Sequence, residues 1–267
     1  MKQSNLSSVL GRWFVIAVPY AWLLVLFLIP FLIVLKISFA EQDIAIPPYT
    51  PLVTTDSDMG RVVLQASYLN YTDIFKDFWQ SLVQILNPFH DGNGENIYLQ
   101  TYWSSLKTAL IVTVLCLVFG YPIAYAISRV REDIRNGVLL LIMLPFWTSF
   151  LLRVYAWMGI LSTTGLLNTW LQTWGVINQP LDLFYNQFSL ILVMVYAYLP
   201  FMILPLYTQL LKLDHRLLEA AGDLGASPIK SFLTITLPLS KVGMIAGSML
   251  VFIPCVGEYV IPELVGG

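Results

Sequence analysis

Five apolar runs, each about as long as a bilayer is thick, constrain this chain more than any other feature. They extend from about Trp13 to Phe39, Ser104 to Ile127, Val138 to Ile160, Ser189 to Leu211 and Val242 to Ile261. Roughly 20 apolar residues in a helix cross about 30 Å of hydrocarbon, and a helix satisfies its own backbone where no water can. The charged fraction fits: 11 % of the 267 residues are charged and 57 % are hydrophobic, whereas soluble domains carry about 25 % charge. The chain therefore reads as an all-α polytopic membrane protein, with residues 1–267 forming a single transmembrane domain whose surrounding partner is lipid. Fourteen basic and 16 acidic residues nearly cancel, so net charge gives no reason to expect a nucleic-acid partner. Cys116 and Cys255 lie inside apolar runs, where a free thiol is usually a small buried apolar group. Neither a disulfide nor a metal site is expected.

Placement of charge orients the spans. The first run is too long for the 7 to 15 residue core of a signal peptide and is expected to remain as a helix, bent at Pro19 and Pro30. Residues 40–103 form an acidic loop carrying Glu41, Asp43, Asp56, Asp58, Asp73, Asp77, Asp91 and Glu95 against Arg61 and Lys76. Turn signals at Pro47-Pro48 and Asp91-Gly92-Asn93-Gly94 punctuate it, and Tyr71 to Leu86 is expected to form a short amphipathic helix at the membrane surface. Arg129, Arg131 and Arg135 follow the second run, whereas Lys212, Arg216, Lys230 and Lys241 follow the fourth. The positive-inside rule puts these two connections and the amino terminus in the cytoplasm. The acidic loop and the Trp/Tyr-rich stretch from Ser162 to Phe188 then fall outside. Five spans leave the carboxyl terminus outside as well, so a sixth helix is expected to be missing from this sequence.

The connection at residues 212–241 is a polar, helix-forming interlude. Leu213, Leu217, Ala220, Ala221 and Leu224 recur at helical spacing, flanked by Lys212, Arg216, Glu219 and Asp223, which predicts a short amphipathic helix. Asp214 is its expected amino-terminal cap and Gly225 its stop. Ser227-Pro228 then opens a second helix, with proline in the first position where its missing N–H costs nothing, and Pro238 is expected to close it. The product is a finger of helix, glycine turn and helix. Taken on physics alone, it is either a docking element or an interfacial helix pair that closes a loop.

No hydrolytic or redox machinery is visible. The chain lacks a glycine-rich phosphate loop ending in lysine, and its two histidines, His90 and His215, fall in loops. No catalytic residue and no bound cofactor are expected. The spacing Glu219-Ala220-Ala221, three residues, Gly225, nine residues, Ile235-x-Leu237-Pro238 resembles the EAA signature of the permease subunits of ABC importers. That resemblance implies a type I importer transmembrane domain of six spans and makes the finger a coupling helix, with Glu219, Ala220, Ala221, Asp223, Leu224 and Gly225 docking in a groove of a separate ATPase. The segments Ile46 to Thr50, Leu144 to Gly159 and Gly257 to Leu264 are similar to the polyamine importer permeases, close to the putrescine type. The similarity implies a second homologous permease, an ATPase dimer that holds ATP and Mg, a periplasmic binding protein delivering putrescine or spermidine, and the bacterial inner membrane as the location.

A path for a cation with ammonium groups needs carboxylates and aromatic faces. Glu258 lies in the last run, and an ionisable group within a span is a functional candidate. Its alternative role is a structural pair, with a neighbouring helix or with Arg153. Tyr259, Tyr155, Trp157, Tyr196 and Tyr198 are the candidate aromatics, their alternatives being interfacial anchors and packing. An importer permease for an amino-acid derivative, thiamine or ferric ion shares the finger and differs in the path. A non-transporting membrane scaffold leaves the signature without a purpose.

Overall fold

The computed structural model describes residues 4–41, 43, 49–51, 53–55, 62–64, 66–76, 78, 82–83, 97–214 and 216–266. They belong to two compact units, Met1–Gln100 and Thr101–Gly267. Turn signals at Pro47-Pro48 and at Asp91 to Gly94, like His90 and His215, lie outside the described residues.

In the first unit, α1 (Ser4–Ser38) runs unbroken through Pro19 and Pro30 and begins well before the apolar run does. From Val15 to Ser38 none of it is buried within the chain, as suits a helix whose solvent is lipid. Its last carbonyls have no partner within the helix. Asn70 supplies one, its Nδ2 donating to the carbonyls of Ser38 at 3.0 Å and Ala40 at 2.9 Å, while the Tyr71 hydroxyl donates to Ser38 Oγ at 2.9 Å. Asn70 and Tyr71 lie on α2 (Leu69–Phe75), which stops at Lys76 in an extended conformation; in the rest of the stretch expected to be helical as far as Leu86, Phe78, Leu82 and Val83 are helical and residues 77, 79–81 and 84–86 lie outside the described residues. The sequence also gave no warning of a two-stranded antiparallel hairpin, β1 (Val53–Thr55) with β2 (Val62–Leu64), in the register Val53 to Leu64 and Thr55 to Val62.

The second unit takes in most of α3 (Ile97–Arg129), which starts in the first. It continues through α4 (Glu132–Met143), α5 (Phe150–Leu161), α6 (Leu166–Thr173) and α7 (Gln187–Leu211). Next come the finger helix α8 (Arg216–Asp223), then α9 (Pro228–Ser231), α10 (Leu237–Leu239), α11 (Lys241–Val256) and α12 (Val260–Val265). α7 is the axis of this unit. Its Val193, Met194, Met202, Ile203 and Leu206 are buried with Val112 and Cys116 of α3, Val154 and Leu161 of α5, and Val251, Ile261 and Val265 from the end of the chain. Asn186 and Ser189 form a capping box at its start, and Ser189 Oγ also reaches the Val265 carbonyl at 3.0 Å.

The spacing Gly243-x-x-x-Gly247 brings α11 close against α7, because small residues let two backbones approach. A Cβ on Gly243 would lie 3.0 Å from the Pro205 carbonyl oxygen, and one on Gly247 would lie 3.1 Å from that of Met202.

Among the described residues four helical stretches are long and apolar enough to cross a membrane, and a helix pair bent by 61° at Ser240, Pro228–Leu239 with Lys241–Val256, makes a fifth when the pair is counted as one span. Three expectations need correction. The run from Val138 to Ile160 is not one helix. Pro145 cannot donate a helix hydrogen bond; the chain tightens into a 3-10 turn (Leu144–Trp147), Thr148 extends, and α5 starts afresh. The crossing candidate is instead Phe150–Thr173. Second, Pro238 is not an abrupt stop: the finger's second helix ends one residue beyond it, at Leu239. A π-helical stretch (Phe232–Thr236) widens the turn ahead of it and the chain stays helical into α10, as happens when a wider turn makes room for a missing donor. Third, the run from Val242 to Ile261 breaks at Gly257, after which α12 begins separately.

Candidate functional site

α8 owes its form to the groups at its ends. Asp214 Oδ1 accepts from the Arg216 amide at 3.0 Å, which satisfies one of the orphan donors of the first turn. At the other end Gly225 has φ +78°, the left-handed conformation that glycine enters without a Cβ penalty. Its amide donates to the Gly222 carbonyl at 2.8 Å and the Ala226 amide to that of Ala221 at 2.9 Å, the paired closing bonds of a Schellman turn. Ser227 Oγ then accepts from the Lys230 amide with Pro228 in the first turn, and α9 departs. Expected caps, turn and proline position are all present.

The apolar stripe divides between two sides. Leu224 is 88 % exposed and Leu217 is 47 % exposed, and Glu219, Ala220, Asp223 and Gly225 are exposed beside them. Ala221 is half-buried. Leu218 looks inward, lining with Gly222, Ala226, Phe232, Thr236 and Tyr125 a cavity of about 240 Å³ at the base of the finger. Sequence reasoning passed over Leu218, although its spacing to Ala221 and Gly222 is the i, i+3, i+4 pattern of a buried arc. Below it, Phe232 meets Tyr121 and Tyr125 edge-on at 5.7 and 5.8 Å, and the Tyr121 hydroxyl shares a hydrogen bond of 2.9 Å with Ser240 Oγ. Root and bend of the finger are thereby fastened to α3.

The path residues do not form one cluster. Glu258 stands in the break between α11 and α12, half-buried, and both carboxylate oxygens are engaged. Oε1 accepts from the amides of Val260 at 3.0 Å and Ile261 at 3.3 Å, while Oε2 accepts from the Tyr198 hydroxyl at 2.5 Å. Such a carboxylate caps α12 and ties it to α7. Trp157 and Tyr196 meet edge-on at 5.3 Å. Tyr155 is 53 % exposed and Tyr259 is 77 % exposed, and neither joins an aromatic box among the described residues. Arg153 is no partner of Glu258: its guanidinium lies over the rings of Phe146 at 5.1 Å and Phe150 at 5.6 Å.

Curated relatives match over most of the chain. The spermidine/putrescine transport system permease protein PotB of Haemophilus influenzae is 37 % identical over 252 residues, 94 % of this chain and 77 % of that protein. An inner membrane ABC transporter permease protein of Escherichia coli, YdcU, is 32 % identical over 212 residues, 72 % of this chain and 66 % of that protein. Among solved structures, a bacterial ABC transporter involved in import of the acidic polysaccharide alginate gives a TM-score of 0.44 at 18 % identity, covering 70 % of this chain and 74 % of that one. That likeness is too slight to carry weight. No family model matches the chain.

Proposed function

Since the chain belongs to the permease family of spermidine/putrescine transport systems, we propose that it is one of two transmembrane subunits of an ATP-driven polyamine importer in the bacterial inner membrane. ATP and Mg belong to an ATPase dimer in the cytoplasm, and a periplasmic receptor delivers putrescine or spermidine. One observation carries the coupling role: the EAA residues form a capped helix that ends in a left-handed glycine and presents Glu219, Ala220, Asp223 and a nearly bare Leu224 outward. A leucine that exposed is costly in water and useful in a partner's groove. Gly225 keeps the tip narrow, while Ala220 and Ala221 let another backbone approach.

When the ATPases close, the finger moves with them. It passes the motion along the backbone, through the π-helical stretch and the 61° bend, into the crossing formed by α11. Because both oxygens of Glu258 are engaged, its part is to hold the path in shape through Tyr198, and the exposed Tyr155 and Tyr259 are free to face the second permease. The decisive experiment is uptake of radiolabelled putrescine and spermidine by the full complex in proteoliposomes, with the other polyamine, thiamine and ferric ion as competitors. Saturable, ATP-dependent uptake blocked by polyamines alone is expected. Uptake blocked by thiamine or ferric ion instead would reassign the solute and leave the subunit's role intact.

A further inference from the structure

The finger has a second neighbour that its backbone does not connect to it. Glu219 and Leu218 of α8 share an open cleft of about 560 Å³ with Ser128, Arg129 and Val130 at the end of α3 and with Arg135 on α4. Two arginines thus line the same cleft as the glutamate of the EAA sequence. Arg135 is half-buried, and among the described residues its Nε has no hydrogen-bond partner and almost no contact with solvent. A buried donor without an acceptor is costly, which favours any movement that brings an acceptor to it. Glu219 is the acidic residue lining that cleft, and among the described residues no ion pair within 4 Å joins it to Arg135.

We propose that Arg135 is a positioning residue for coupling: when the finger is pressed toward the membrane, Arg135 closes on Glu219 and carries the finger's motion into α4. The proposal rests on the finger's coupling role and adds a route to it. Along the backbone the finger drives α9 to α11. Through Arg135 it also drives α4, whose end continues into the 3-10 turn where Phe146 lies edge-on to Phe201 of α7 at 5.1 Å and under the Arg153 guanidinium of α5. One movement of the finger then reaches both walls around α7, those of α11 and those of α4 and α5. A charge pair suits a contact that must form and release, since its partners attract over several ångströms and need no interlocking shape.

The test uses the full complex with its ATPase subunits. Arg135→Cys combined with Glu219→Cys, in a chain whose own Cys116 and Cys255 are buried, is treated with a short bis-maleimide without nucleotide and after trapping with ATP and vanadate. Cross-linked yield is expected to differ by about fivefold or more between the two states, the lower end of typical coupling between linked sites. Equal yields, or no product in either state, overturn the proposal. With Glu219 intact, Arg135→Glu is expected to keep its ATPase subunits through purification while ATP hydrolysis drops by about fivefold or more, and Arg135→Lys is expected to recover most of that loss. Undiminished hydrolysis in Arg135→Glu overturns the relay. So does loss of the ATPase subunits, which would make Arg135 part of the docking surface. Gly225→Asp separates this from failure of the coupling role itself: if the finger does not dock, that complex keeps its ATPase too, whereas a sound finger loses it.

Discussion

Gly225 shows how much one residue decides. Its φ of +78° puts any L side chain in the left-handed region, yet a Cβ there would meet nothing within 4 Å. The penalty for Gly225→Ala is therefore conformational, about 1 to 2 kcal/mol. Asparagine enters that region more readily than alanine, so Gly225→Asn is expected to retain more co-purifying ATPase than Gly225→Ala, and Gly225→Asp the least. A ranking with alanine above asparagine would mean that side-chain bulk at the interface outweighs the turn. Tyr198→Phe is a second residue-scale case. It strips the Glu258 carboxylate of its partner on Oε2 while the two amides keep Oε1. Removing a hydrogen bond to a charged, half-buried group is expected to cost about 1.5 to 3 kcal/mol, read as a lower unfolding midpoint in detergent. The residues of the finger were legible because capping chemistry is local: Asp214, Gly225, Ser227 and Pro228 each act within a few positions of themselves. Glu258 was legible as a carboxylate inside an apolar run. Its capping role was hidden, because that depends on a break at Gly257 which hydropathy does not register.

At the scale of elements, the five runs were visible as lengths of apolar sequence, but their interruptions were not. Hydropathy averages over a window and passes smoothly across Pro145 and Gly257, where backbone geometry breaks the helix. Pro238 marked the helix end to within one residue, Leu239, but not the backbone that leads to it. A proline reads as a stop, whereas a π-helical stretch ahead of it, braced by Phe232 against Tyr121 and Tyr125, keeps the chain helical. That widened turn leaves Thr236 Oγ1 buried, without a hydrogen-bond partner among the described residues. Thr236→Val keeps the shape and removes the stranded hydroxyl, so it is expected to leave the unfolding midpoint unchanged or raise it, by up to about 1 to 3 kcal/mol of stability. A clear loss would instead show that the hydroxyl has a partner, such as an ordered water in the cavity beneath the finger. The contact of α11 with α7 makes the opposite prediction. Gly247→Val places methyl groups where even a Cβ would press on the Met202 backbone, and overpacking of this kind costs about 1 to 3 kcal/mol. Thermal unfolding of the purified subunit checks both.

For the whole molecule the finger's purpose depends on which side of the membrane it occupies, and that assignment comes from charge alone: basic connections at Arg129 to Arg135 and Lys212 to Lys241, acidic and aromatic ones opposite. Exposed positions make it measurable. Leu224 at the finger's tip is 88 % exposed and Trp174, after α6, is 74 % exposed, while the native cysteines are buried and give little background. In intact cells whose outer membrane has been opened, Trp174→Cys is expected to react with a membrane-impermeant maleimide. Leu224→Cys is expected to react only once the inner membrane is permeabilised. Labelling of both without permeabilisation would invert the orientation of the finger and remove any cytoplasmic ATPase from its reach. Repeating the labelling in permeabilised membranes with and without the ATPase subunits then joins topology to coupling. A leucine position that enters a partner's groove is shielded while the complex is assembled, so Leu224→Cys should lose most of its reactivity when the ATPase is present and Trp174→Cys none. Unchanged labelling at position 224 would leave a finger on the cytoplasmic side that docks with nothing, which is the interfacial helix pair that physics alone allows.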